Sequence, residues 1–106
     1  MQFGALFKKY RLKAEFDSLS EFADALAQKG YFYELSLFCH WQKGRRIPTK
    51  RSIVITLLSL FIERGAIESL QEANDFLESA GHGYLTQKEQ EQFFSDFINT
   101  NSHPTF

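Results

Sequence analysis

The chain has 106 residues, enough for one domain with a core of its own, and with 43% hydrophobic and 16% aromatic residues its composition excludes intrinsic disorder. Net charge is −1, yet residues 1–51 carry ten Lys/Arg against five Asp/Glu, and residues 52–106 carry two against eight. A basic half beside an acidic half points to nucleic-acid contact by the basic side, or to two halves that each solvate their own surface.

In chain order, Phe3, Leu6, Phe7, Tyr10 and Ala14 recur at helical spacing and predict an amphipathic helix over about 3–15. Its opposite face carries Lys8, Lys9, Arg11 and Lys13, a surface that either grazes a phosphate backbone or is solvated. Ser18 and Glu21 form a capping box ahead of Leu19, Phe22, Ala23 and Leu26, and Gly30 suits the left-handed position that ends many helices. After the aromatic connector Tyr31-Phe32, a second helix is expected from about Tyr33 to Lys43, stopped by Gly44 and kept from restarting by Pro48. Helical spacing turns Leu35, Phe38 and Trp41 inward. It sets Tyr33, Ser36, Leu37, His40 and Lys43 on an outward stripe. The loop that follows carries Arg45, Arg46, Lys50 and Arg51, cations suited to phosphates or to plain solvation.

Arg51 to Glu63 is apolar nearly all round, so it reads as a central strut, with Leu57, Leu58 and Phe61 among its most buried residues. Ser69 and Glu72 form a second capping box for a helix over 69–80, with Leu70, Ala73, Leu77 and Ala80 inward. Thr86 and Glu89 form a third, opening a last helix over 86–98 with Phe93, Phe94, Phe97 and Ile98 on one side. That apolar face packs on the chain's own core or marks a dimer interface. Residues 99–106 read as a frayed tail. The fold expected is all-α: one domain over 1–98, a compact bundle of five to six helices.

The helix pair over 18–44, and above all the ending Trp41-Gln42-Lys43-Gly44-Arg45-Arg46-Ile47-Pro48 (W-x-x-G-R-R-x-P), resembles the helix-turn-helix of the Cro/C1 (XRE-like) repressor family. The resemblance covers roughly Phe3 to Leu85. It implies a lambda-repressor-like helix-turn-helix whose second helix enters the DNA major groove. On that analogy Ser36, Leu37 and His40 read base edges, while Lys43, Arg45, Arg46, Lys50 and Arg51 hold phosphates. Leu19 stands where many members carry a phosphate-binding Gln, and the connector Lys29 to Glu34 is longer than the commonest spacing. The run Glu72 to Gly81 (E-A-N-x-x-L-x-x-A-G), followed by Tyr84-Leu85-Thr86, is similar to bacterial proteins that carry such a domain ahead of larger effector regions.

Catalysis is not expected. His40, His82 and His103 do not combine with Cys39 in metal-ligand spacing, and no glycine-rich phosphate loop is present. Cys39 and His40 are neighbours on a helix and point about 100° apart, so they form no nucleophile–base pair. Cys39 fits a small half-buried apolar position. A single cysteine and an opening MQFGALFKKYRLK without an apolar signal core fit a cytoplasmic protein. The apolar run Ile53 to Ile62 falls short of the roughly 20 residues of a membrane span. The expected partner is double-stranded DNA, with two-fold pairing of the chain for a palindromic site and no cofactor. A protein-interaction module on the same fold, docking a larger protein partner through Tyr31-Phe32-Tyr33 or the acidic half, is the alternative.

Overall fold

The computed structural model describes residues 2–102, with side chains through residue 94. They form six helices and no strand: α1 (Phe3–Lys13), α2 (Leu19–Gln28), α3 (Leu35–Gln42), α4 (Arg51–Glu63), α5 (Leu70–Ser79) and α6 (Gln87–Ser102). The all-α bundle expected from the sequence is what forms. None of these helices is long and apolar enough to cross a membrane.

The capping boxes account for the starts. Ser18 Oγ accepts from the Glu21 amide at 3.1 Å, Ser69 Oγ from the Glu72 amide at 3.2 Å, and Thr86 Oγ1 from the Glu89 amide at 3.2 Å. The return bond differs among them. Glu89 takes the amide of Thr86 itself, whereas Glu21 and Glu72 reach one residue further back, to the amides of Asp17 and Glu68. Each carboxylate also lies in the first turn, where the helix dipole favours negative charge.

Burial follows the apolar stripes. Phe3, Leu6, Phe7, Tyr10 and Ala14 of the first stripe are all buried, and Leu57, Leu58 and Phe61 are fully enclosed. Phe22 is the aromatic centre, meeting Phe7, Phe16 and Phe38 edge to face at 5.1, 5.6 and 5.3 Å between centroids. Such pairs are worth about 0.5–1.5 kcal/mol each beyond the area they bury. Around this centre α1 packs on α3 and α5, α2 on α3 and α4, and α4 on α5.

Four expectations are corrected. Leu70 is exposed, because Ser69 is the cap and Leu70 the first helical residue, whereas the unanticipated Phe76 is fully buried against Phe3, Tyr10 and Phe61. The second helix starts at Leu35, not Tyr33, since residues 31–34 are non-helical and Glu34 is extended. The first helix stops at Lys13, with Glu15 in the left-handed region at φ 66° and the Phe16 amide bonded back to the Arg11 carbonyl at 3.1 Å. Finally, α6 continues through Ser102 with a break in helical geometry at Phe94, so the segment 99–102 read as tail is helical. Phe93 and Phe94 are half-buried against the core; the Phe97 and Ile98 side chains and His103 lie outside the described residues.

Candidate nucleic-acid interface

The outward face of α3 is set by what anchors its inward face. Phe38 and Trp41 are buried, and Trp41 meets Phe3, Phe7 and Phe38 at 6.3, 5.8 and 5.2 Å with near-perpendicular rings. Gly4 lets α1 come in against the end of α3. A Cβ built there would lie 2.7 Å from both the Trp41 and the Gln42 carbonyl oxygens, closer than real Cβ contacts come. The helix is thus clamped by an indole on one side and backbone contact on another.

Leu35, expected inward, is 45% exposed. The non-helical connector lays the Tyr33 ring on Phe38 and Trp41 instead, each at 6.4 Å, with Tyr33 itself left 37% exposed. Three of the outward residues do come together, Lys43 lying outside the group. Ser36, Leu37 and His40 line one open groove of about 330 Å³, with Arg46 and Glu34 at its sides.

Gly44 ends α3 with φ 76°, a left-handed turn in which the Arg45 amide bonds the His40 carbonyl at 2.9 Å and the Gly44 amide bonds the Trp41 carbonyl at 3.1 Å. The Arg46 amide also reaches the His40 carbonyl, at 3.3 Å. The basic loop is therefore tied to the helix at the residue beside the groove. Pro48 is buried beyond it. Lys43, Arg45, Arg46 and Lys50 are exposed, and none of them forms an ion pair among the described residues.

Arg51 does not belong with them. Its Nη2 and Nε donate to the two Glu89 carboxylate oxygens at 2.7 and 3.2 Å, and Nη1 and Nη2 donate to the Gly83 and Tyr84 carbonyls at 2.9 and 3.1 Å. Four of its five N–H groups are thus engaged within the chain, which sets it apart from the four unpaired cations, although its side chain stays 32% exposed. These bonds, with those from Thr86, hold the Glu89 carboxyl down at about 2. Arg11 leaves the surface as well: it is 6% exposed, donates to the Phe16 carbonyl at 2.6 Å, and braces Gln42 of α3 at 3.3 Å. Lys13 lies 3.9 Å from both Glu68 and Glu72. The α1 face keeps Lys8 and Lys9 as exposed cations.

Two features were not foreseen. Glu34, the residue before α3, puts a carboxylate in the groove; its place just ahead of the helix could have drawn attention to it. Beside the groove lies a second, apolar one of about 470 Å³, floored by Tyr33, Leu37, Trp41, Ile47, Pro48 and Ile53, with Arg46 and Lys50 at its edge. No periodicity signals this groove, because half of it comes from the irregular loop. Among the described residues no three His, Cys, Asp or Glu side chains are placed to hold a metal ion. No protein-family model matches the chain, and neither a curated protein nor a solved structure is significantly similar to it.

Proposed function

We propose that the chain is a DNA-binding transcriptional regulator of Cro/C1 (XRE-like) type, a cytoplasmic protein with α3 as the recognition helix. The observation that carries this reading is the gathering of Ser36, Leu37 and His40 in one groove beside four exposed cations, Lys43, Arg45, Arg46 and Lys50. On a duplex, α3 enters the major groove, where the Ser36 hydroxyl serves either a donor or an acceptor, Leu37 touches a thymine methyl, and His40 donates to a purine acceptor. Glu34 accepts from a cytosine amino group. The four cations neutralise phosphates and supply affinity without sequence information. A palindromic target calls for two copies related by a two-fold axis.

The test is fluorescence anisotropy of labelled duplex DNA titrated with the chain at increasing salt. Four phosphate contacts give a slope of log affinity against log salt of about −3.6, so binding weakens on the order of 100-fold between 50 and 200 mM. Arg45→Ala/Arg46→Ala halves that slope, to about −1.8. His40→Ala, tested on a selected site, reduces discrimination between sequences more than it alters the slope. Absence of binding at low salt rejects the proposal.

A further inference from the structure

The apolar groove next to the proposed reading face has a chemistry unlike that of a phosphate-binding surface. Its floor is built from Tyr33, Leu37, Trp41, Ile47, Pro48 and Ile53. Ile47 of the floor is 45% exposed, and of the residues next to Tyr33 and Glu34 in the chain, Phe32 is 79% and Leu35 45% exposed. Large apolar side chains left open together commonly mark a contact surface. A sugar-phosphate strand laid there would lose water from its own polar groups to side chains that return no hydrogen bond.

The edge of the groove is cationic. Arg46 and Lys50 border it, Lys43 and Arg45 lie nearby in the chain, and Glu34 is the sole acidic residue between positions 31 and 50. None of the four cations is paired to a carboxylate of the described residues. An apolar floor with unpaired positive charge at its edge complements a segment with large apolar side chains flanked by carboxylates.

We infer that the groove between the start of α3 and the Ile47–Ile53 segment is a docking site for an acidic peptide segment of a partner protein, anchored by Leu- or Phe-type side chains. The apolar anchors desolvate on the Tyr33–Ile47 floor, and the flanking carboxylates meet Arg46 and Lys50. Leu37 and Arg46 are shared with the face proposed for DNA, so one segment bound here excludes the duplex.

The experiment uses the full chain, immobilised, with two phage-displayed peptide libraries: one rich in Asp and Glu with interspersed Leu and Phe, the other with Lys in place of the acids. Enriched sequences are then made as fluorescent synthetic peptides and titrated in the absence of DNA. The expected result is enrichment from the acidic library alone. Ile47→Asp should weaken the selected peptide at least about tenfold, as loss of a central anchor does. Lys50→Glu should weaken it several-fold, and Leu12→Asp, at an exposed apolar position on α1, should leave it unchanged. Enrichment from the basic library, or equal enrichment on wild type and on the Ile47→Asp and Lys50→Glu variants, overturns the inference. So does concentration-dependent self-association in sedimentation that Ile47→Asp abolishes, which would make a second copy the occupant. Duplex binding that needs Ile47, with neither library enriched, would assign the groove to DNA and overturn it equally.

Discussion

Replacing Gly4 with alanine would put a methyl group where α1 and α3 touch backbone to backbone. The added carbon would sit 2.7 Å from two carbonyl oxygens, of Trp41 and Gln42, and 3.1 Å from the Gln42 carbonyl carbon. Ordinary contact begins about 0.7 Å further out, at 3.4 Å, and backbone carbonyls at the end of a packed helix cannot swing aside as a side-chain tip can. Overpacking of this kind costs about 1–3 kcal/mol, while the intrinsic preference of a helix for alanine over glycine returns at most about 1 kcal/mol. The net expectation is a loss of about 1–2 kcal/mol. For a chain of this size that lowers the melting temperature by about 5–10 °C. Thermal unfolding followed by circular dichroism measures it, with Gly83→Ala as the control, since a Cβ at Gly83 meets nothing within 4 Å. The sign is what matters: a Gly4→Ala protein melting at or above the wild-type temperature would refute the close contact and the clamp on α3 that follows from it.

Arg51→Met should destabilise the protein by about 1 kcal/mol, read in urea unfolding, because it takes the bidentate partner from the part-buried Glu89, while water replaces it at the exposed Gly83 and Tyr84 carbonyls. It should leave the salt slope of any DNA binding unchanged, the opposite of Arg45→Ala/Arg46→Ala. Glu89, with its carboxyl at about 2 in the folded chain, adds stability that is complete above the ordinary carboxylate range near 4.5 and is lost as the pH falls through that range towards 2. Glu63 and Glu72 are lowered too, chiefly by hydrogen bonds from Lys29 and from the Glu68 amide, and act in the same direction. Glu89→Gln should therefore flatten the acid limb of stability against pH, measured by denaturant midpoint from pH 5 to 2. Glu15→Gly should raise stability by about 0.5–1 kcal/mol, because it relieves a left-handed φ of 66° in a residue that carries a Cβ. No gain in the denaturant midpoint would count against that strain.

The parts of this fold that could be read in advance are those governed by period and by caps. Phe3, Leu6, Phe7 and Tyr10 announce a buried face at helical spacing, and the Ser/Thr-x-x-Glu runs at 18, 69 and 86 announce three helix starts. Long-range chemistry is where the reading failed. Arg11 and Arg51 look like surface cations beside other cations. Only the approach of Gln42 and the Phe16 carbonyl to one, and of Glu89 to the other, makes them internal braces. Those partners lie up to 38 residues away in sequence, and spacing along one helix carries no information about them. The exposure of Leu35, with Tyr33 resting on Phe38 and Trp41, has a local cause, a non-helical connector persisting to Glu34, that helical periodicity cannot register. Ser36, Leu37 and His40 did gather as spacing suggested, since all three lie on a single helix.

The two hydrogen bonds that the amides of Arg45 and Arg46 donate to one carbonyl, that of His40, bear on how the loop would behave when a ligand arrives. Fixing the backbone of a free residue costs about 1–2 kcal/mol in conformational entropy. Here the turn at Gly44, the shared carbonyl and the buried Pro48 ring order the stretch from Lys43 to Pro48 when the chain folds, before any partner is present. A charged side chain on such a scaffold has only its own rotamers left to settle. Association through it is then governed by diffusion and by the field of the cations, and differences between partners appear in how slowly they leave.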